Sequence, residues 1–287
     1  MGILLLSFGY LLYYLAMIDS LTLGLLQGLA EFLPISSSGH LVLGKSLLGM
    51  KEAGMFFDVM LHAGTLLSIF VVFRKKLLKM IIGVFKKDKE QREYVFYIVL
   101  ASIPTAIIGL GFKSQLEALF TNPRAVSIAL LFTGTLLFLT RWAKPAQEVE
   151  NVKMNWWKAL ITGTVQGVAC IPGISRSGST ISSMLFLKID RKFAGEFSFL
   201  MSIPAVGGAA LLDLIHWFEC QGANALLESC RTAGTFNLAL LAGMVVAFVA
   251  GIFALRWLLT FVQKGKLHHF AWYVWAAGIL GLLFIHP

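Results

Sequence analysis

QGLAEFLPISSSGH, Gln27 to His40, and QGVACIPGISRSGS, Gln166 to Ser179, lie over one another without a gap when the chain is shifted by 139 residues. Gln, Gly, Ala, Ile, two Ser and Gly coincide, seven of the fourteen positions, and upstream Gly24 falls on Gly163. Each copy interrupts an apolar region, about Ser20 to Leu48 and Trp156 to Leu187, with Pro, Gly and Ser. A straight transmembrane helix does not carry such breaks, because backbone groups freed at membrane depth must be satisfied by protein or by a watery cavity. Each broken region therefore reads as a pair of re-entrant helices meeting at a polar turn.

Composition supports a membrane setting. The 287 residues are 57% hydrophobic and 14% charged, against about 25% charged in soluble domains. Crossing a hydrocarbon core of about 30 Å takes about 20 apolar residues. Six windows qualify: Gly54 to Phe73, Tyr94 to Phe112, Arg124 to Trp142, Phe197 to Trp217, Phe236 to Leu259 and Phe270 to His286. The opening MGILLLSFGYLLYYLAM has an apolar core but neither a basic start nor a small-residue cleavage site, which predicts a retained N-terminal helix over 1–19.

The net charge of +9 does not point to nucleic acid, because the basic residues cluster between apolar spans. Eight of the 24 lie in Arg74 to Arg92, with further clusters at Arg141 to Lys158, Lys188 to Lys192 and Arg256 to Lys266. Placing all four on the cytoplasmic side is consistent with six crossings and leaves both termini extracytoplasmic. The first broken region then enters from the outer face and the second from the cytoplasmic face. The shift that aligns the two motifs also carries the first three spans approximately onto the last three. The expected fold is an all-α polytopic membrane protein of two inverted-topology repeats, with six full spans and two re-entrant pairs meeting near the midplane. In residue ranges, a single membrane domain, 1–287, comprises the N-terminal helix, repeat 1 over 20–142, a cytoplasmic linker over 143–158 and repeat 2 over 159–287. Cys170 stands alone; Cys220 and Cys230 share one loop and are either a disulfide or two thiols.

Where the copies differ, chemistry enters. Glu31 aligns with Cys170, Ser37 with Arg176 and His40 with Ser179. A charge at the bilayer centre costs about 2.5–3.5 kcal/mol on insertion scales, so an acid and an arginine there should pair with each other or with a ligand. Turns rich in Ser and Gly that lead into helices present N–H groups and hydroxyls, which suits phosphate. Arg176 adds a fork matched to phosphate oxygens. Serines beside His40 add a nucleophile and a proton shuttle. The combination points to phosphoryl transfer to water.

At these residues the chain resembles the BacA-type undecaprenyl-diphosphate phosphatases of bacteria. Gln27 and Glu31 match a (Glu/Gln)-x-x-x-Glu element followed by a P-x-S-S-x-G-H turn. PGISRSGST, Pro172 to Thr180, matches P-G-x-S-R-S-x-x-T, and EFSFLMSIP, Glu196 to Pro204, extends the likeness over nearly the whole chain. The resemblance implies hydrolysis of undecaprenyl diphosphate to the monophosphate, which recycles the lipid carrier of cell-wall synthesis and accompanies bacitracin resistance. It implies a place in the bacterial inner (plasma) membrane among membrane lipids, and a divalent cation, Mg²⁺ or Ca²⁺. A homodimer is compatible with it. Carried over by position, Arg176 with Ser175, Ser177 and Thr180 would hold the diphosphate, joined by Gln27, Ser36 and Ser38 from the first copy. Glu31, with Gln27, would hold the cation or orient His40. Gln27 stands where other members have a second carboxylate, which leaves a two-carboxylate metal site in question. Ser37 would attack with His40 as base; the rival routes make His40 the nucleophile or let water attack directly.

Other residues admit plainer readings. Asp58 and His62, spaced i and i+4, form either a polar pair in the site or a structural hydrogen bond, and the structural one is preferred. Glu196 serves either the site or a helix N-terminus. A second membrane-phosphatase family needs an Arg-Pro and a His with Asp four residues on, and neither occurs here. A transporter of lipid phosphate could use the same inverted-repeat site. Against pure transport, binding alone does not require a histidine beside serines in one copy only.

Overall fold

The computed structural model describes residues 17–47, 55–143, 153–220 and 238–285. Most of the expected N-terminal helix, most of the 143–158 linker and Cys230 fall outside them. Among the described residues the elements are helical and no strand is present. In chain order they are α1 (Met17–Ala30), α2 (Ser37–Leu47), α3 (Met55–Phe85), α4 (Lys89–Gly111), α5 (Lys113–Phe120), α6 (Pro123–Leu139), α7 (Trp156–Val168), α8 (Arg176–Phe186), α9 (Arg191–Cys220), α10 (Leu238–Gln263) and α11 (Phe270–Phe284).

Among the described residues six helices are long and apolar enough to cross a membrane: Phe56–Phe85, Lys89–Gly111, Pro123–Trp142, Arg191–Cys220, Leu238–Gln263 and Leu267–Phe284. They correspond one to one with the six windows expected from sequence. The basic stretch from Arg74 is not a loop, however: α3 continues through it to Phe85. Arg, Lys, Leu and Met are good helix formers, and the chain turns only at Lys86 and Lys87, where Lys87 has a φ of +57°, before Asp88, whose side chain accepts from Glu90 N and Gln91 N to start α4. α3 therefore extends well past the apolar window, carrying its charges on helical turns. The short α5 is an element that the hydropathy windows passed over.

The two regions broken by Pro, Gly and Ser each form two short helices joined by a turn, α1 to α2 and α7 to α8. α2 and α8 have 11 residues each, which at 1.5 Å per residue is about half a hydrocarbon core. Glycines let the incoming helices approach others at backbone distance. A Cβ on Gly24 of α1 would collide with the Gly243 carbonyl of α10, and one on Gly163 of α7 with the Ala101 carbonyl of α4. α3 packs mainly on α10, and α6 on α11. Behind the turns lies a core with Phe32, Ile181, Met184, Phe197, Leu200 and Met201 fully buried, where Phe32 meets Phe199 edge-on at 5.7 Å.

Candidate active site

The first turn begins while α1 is still helical. Glu31 N donates to Gln27 O at 2.9 Å, and the i,i+4 spacing lets Gln27 Nε2 reach Glu31 Oε2 at 3.0 Å. The chain then reverses into α2 through Ser36, whose φ of +69° is left-handed. That conformation costs a non-glycine residue about 1–3 kcal/mol and persists where surroundings over-determine it. Here they do: the Ser36 carbonyl accepts from His40 N at 3.1 Å and from His40 Nδ1 at 2.9 Å, while its hydroxyl accepts from Gly39 N at 3.2 Å and caps α2.

The second turn repeats this cap at the equivalent position. Ser175 Oγ accepts from Gly178 N at 3.1 Å and caps α8. Its left-handed residue is Gly173, φ +94°, where a side chain would also strike the Val126 carbonyl. α6 braces the turn through Thr133, which donates to Gly173 O at 2.9 Å and accepts from Ser175 N at 3.1 Å. The two turns touch: a Cβ on Gly39 would come 3.1 Å from Gly173 Cα, and one on Gly178 would come 3.2 Å from Pro34 Cβ. Ser177 Oγ crosses between them to donate to Phe32 O at 3.0 Å.

At this junction Glu31 gathers three donors. Arg176 Nη2 reaches Oε1 at 2.6 Å, and Ser37 Oγ donates to Oε2 at 2.6 Å alongside Gln27. Both charges are largely buried, at 17% and 7% side-chain exposure for Arg176 and Glu31, so the pair compensates charges that neither could carry alone. Arg176 still has Nη1 buried without a partner. Glu31, Ser36, Ser37, Ser38, Ser175 and Arg176 line one cavity of about 490 Å³. The first N–H groups of α2 and α8 are the ones that a helix leaves without internal partners, and they start at this wall.

Not every expected site residue reaches the cavity. Gln27, His40, Ser177 and Thr180 do not line it. Thr180 Oγ1 bonds Arg176 O at 2.8 Å and Ser198 Oγ at 2.6 Å inside the bundle. His40 and Ser37, paired in the sequence reading, do not meet. A carbonyl only accepts, so the bond to Ser36 O puts the His40 proton on Nδ1, and Nε2 accepts from the Tyr273 hydroxyl at 2.9 Å. Tyr273, far off in sequence, gave no local signal. The cavity also holds Asp58 and His62. Their link runs from His62 Nδ1 to the Asp58 backbone carbonyl at 2.8 Å, while the Asp58 carboxylate pairs with Lys45 at 2.6 Å. Glu196 pairs with Lys76 and lies away from the cavity wall. Thr105, Glu117, Gln166, Cys170 and Asp213 complete its polar lining. Of these, Gln166 and Cys170 were legible in the sequence as the partners of Gln27 and Glu31.

Of the side chains expected to hold a divalent cation, Glu31 reaches the cavity and Gln27 stands behind its wall. Gln27 Oε1 is buried without a partner beside Glu31. Among the described residues no three His, Cys, Asp or Glu side chains form a ready cage. Magnesium bound through one or two protein oxygens plus substrate phosphates needs none.

Six membrane-length helices around two abutting capped turns, with a carboxylate, a serine and an arginine hydrogen-bonded in one cavity, define a multi-pass membrane protein with an enzyme-like polar site. The chain belongs to the BacA family: the model of bacitracin resistance protein BacA matches residues 20–280. Proteins named undecaprenyl-diphosphatase are similar along most of its length. That of Desulfosudis oleivorans is 43% identical over 275 residues, covering 91% of this chain and 96% of the relative. That of Carboxydothermus hydrogenoformans is 40% identical over 261 residues, 91% and 94%. That of Treponema denticola is 39% identical over 273 residues, 92% and 96%.

Proposed function

We propose that this protein hydrolyses undecaprenyl diphosphate to undecaprenyl phosphate and inorganic phosphate, and so returns a lipid carrier to cell-wall synthesis. The observation that carries the chemistry is the Ser37 hydroxyl donating to Glu31 Oε2 at 2.6 Å beside Arg176. Ser37 attacks the terminal phosphorus as its proton passes to Glu31 and on to the departing lipid monophosphate, which leaves Glu31 ionised again. Arg176, with Nη1 free of partners, exchanges its bond to Glu31 for phosphate oxygens and offsets charge on the transferring group. The helix N-termini at Ser37 and Arg176 add partial positive charge where the phosphate lies. His40 positions the turn by holding the Ser36 carbonyl. A divalent cation, Mg²⁺ or Ca²⁺, held by Glu31, with Gln27 Oε1 buried next to it, would neutralise phosphate oxygens.

The reading includes the inverted repeat, and reciprocal contacts support it. Under the 139-residue shift Gly39 corresponds to Gly178 and Pro34 to Gly173, and the two contacts across the turns are Gly39 to Gly173 and Gly178 to Pro34. Likewise α1 packs on α10 through Gly24, and α7 on α4 through Gly163. A two-fold relation produces such exchanged pairs. With the short helix pairs re-entrant and the basic helix ends cytoplasmic, both termini are extracytoplasmic and the membrane is the inner one. The cavity draws its remaining wall from Asp58 and His62 at the start of α3, from α5, and from Ala205 to Asp213 of α9. These lie toward the end opposite the basic clusters, so substrate enters from the extracytoplasmic side. Transport by the same site is set aside, because the relatives bear a hydrolase's name. Phosphate release by purified protein in detergent with undecaprenyl diphosphate and Mg²⁺ or Ca²⁺ tests the activity; no release under those conditions rejects it.

A further inference from the structure

Gln166 is 1% exposed, lines the cavity and has a carbonyl oxygen, Oε1, without a hydrogen-bond partner. Its orientation is determined. Thr105 Oγ1 has a single proton, and its shorter bond, 2.8 Å, goes to Gly163 O. The oxygen of Thr105 can then only accept, which it does from Gln166 Nε2 at 3.2 Å. The amide nitrogen is thereby tied back to α4, and Oε1 is left as an acceptor. An acceptor is the wrong group for a phosphate oxygen. It suits a ligand that carries protons.

We infer that Gln166 Oε1 orients the water that attacks phosphorus. The inference rests on the phosphatase reading above. On the serine route, the water oxygen bonds to phosphorus as the Ser37 Oγ–phosphorus bond breaks. One water proton passes to Glu31 and on to Ser37 Oγ, restoring the hydroxyl. The other, held by Gln166 Oε1, stays on the departing phosphate. If water attacks the diphosphate directly, the lipid phosphate is the leaving group and Gln166 holds the same water. An amide takes no proton, so its contribution is orientation, the role that glutamine plays toward water in some nucleotide hydrolases.

The test is how the phosphoryl group divides between water and added methanol, read as inorganic phosphate against methyl phosphate, in wild type, Gln166→Leu and Gln166→Glu. Loss of water orientation in Gln166→Leu should lower turnover and raise the methyl phosphate share by about tenfold or more, with KM little changed. Gln166→Glu, which keeps an oxygen acceptor but loses the N–H held by Thr105, should give a share between those of wild type and Gln166→Leu. A fall in both products at constant ratio, or wild-type turnover in Gln166→Leu, overturns the inference. The same assay on Ser37→Ala separates the two levels: retained turnover rejects the serine nucleophile but leaves the Gln166 ratio decisive, since water is needed on either route. If wild type releases no phosphate, the phosphatase reading fails and the inference falls with it.

Discussion

Arg176 Nη2 donates to Glu31 Oε1 at 2.6 Å although the residues are 145 positions apart, each supplied by a different turn. Removing one member leaves a buried charge, which costs about 3–5 kcal/mol. Arg176→Ala should lower the unfolding temperature in detergent and reduce phosphate release by about 10²–10³-fold. Adding Glu31→Gln to Arg176→Ala should restore part of the stability and none of the activity. Thermal unfolding and phosphate release on the same samples check both, and near-normal turnover in Arg176→Ala would remove the guanidinium from the mechanism.

Ser37 and Ser38 are adjacent but engaged differently. Ser37 donates to Glu31, whereas among the described residues Ser38 Oγ meets Ser36 Oγ at 3.3 Å. Ser37→Ala should fall to background while Ser38→Ala retains most activity. Acid quenching during turnover, followed by mass spectrometry, should find phosphate on the peptide carrying Ser37.

His40 holds the Ser36 carbonyl through Nδ1 and accepts from Tyr273 at Nε2. Asn can place an N–H near the Nδ1 position without titrating in this range. His40→Asn should therefore keep much more activity than His40→Ala, with a pH profile like wild type, and Tyr273→Phe should be milder than either. Equal loss in His40→Asn and His40→Ala would instead assign the ring itself to proton transfer.

Ser36 and Ser175 cap α2 and α8 at equivalent positions. Replacing either by Ala should cost about 1 kcal/mol. Ser36→Gly should cost less than Ser36→Ala, because glycine accepts the left-handed φ of +69° that alanine resists. Unfolding midpoints of the three variants order these effects; a larger loss for Ser36→Gly than for Ser36→Ala would contradict the backbone argument.

Gln115 on α5 and Lys87 beyond α3 are exposed and lie at opposite ends of the proposed topology. Single cysteines there, with native cysteines replaced, should react with an impermeant thiol reagent on opposite membrane sides. Labelling of both from one side would overturn the orientation and with it the side of substrate entry.

Much of the fold was legible because its signals are local. A stretch of apolar residues long enough for a bilayer is readable anywhere, and the Pro-Gly-Ser interruptions marked the turns at 31–36 and 169–175. The alignment of Gln27–His40 with Gln166–Ser179 also identified the carboxylate and guanidinium that meet. The extension of α3 through Arg74 to Phe85 carries no hydropathy signal, because Lys and Arg favour helix without being apolar.

The chain by itself determined the solvent, the six spans, the two turns and the residue types at them, since each depends on short-range pattern. Tertiary structure alone decided who bonds to whom. The proton of Ser37 points to Glu31 rather than to His40, His40 turns to Tyr273, and Gln166 is tied to Thr105 with its carbonyl oxygen left over. These partners come from helices distant in sequence, and side-chain direction at such junctions is set by packing that no local pattern encodes.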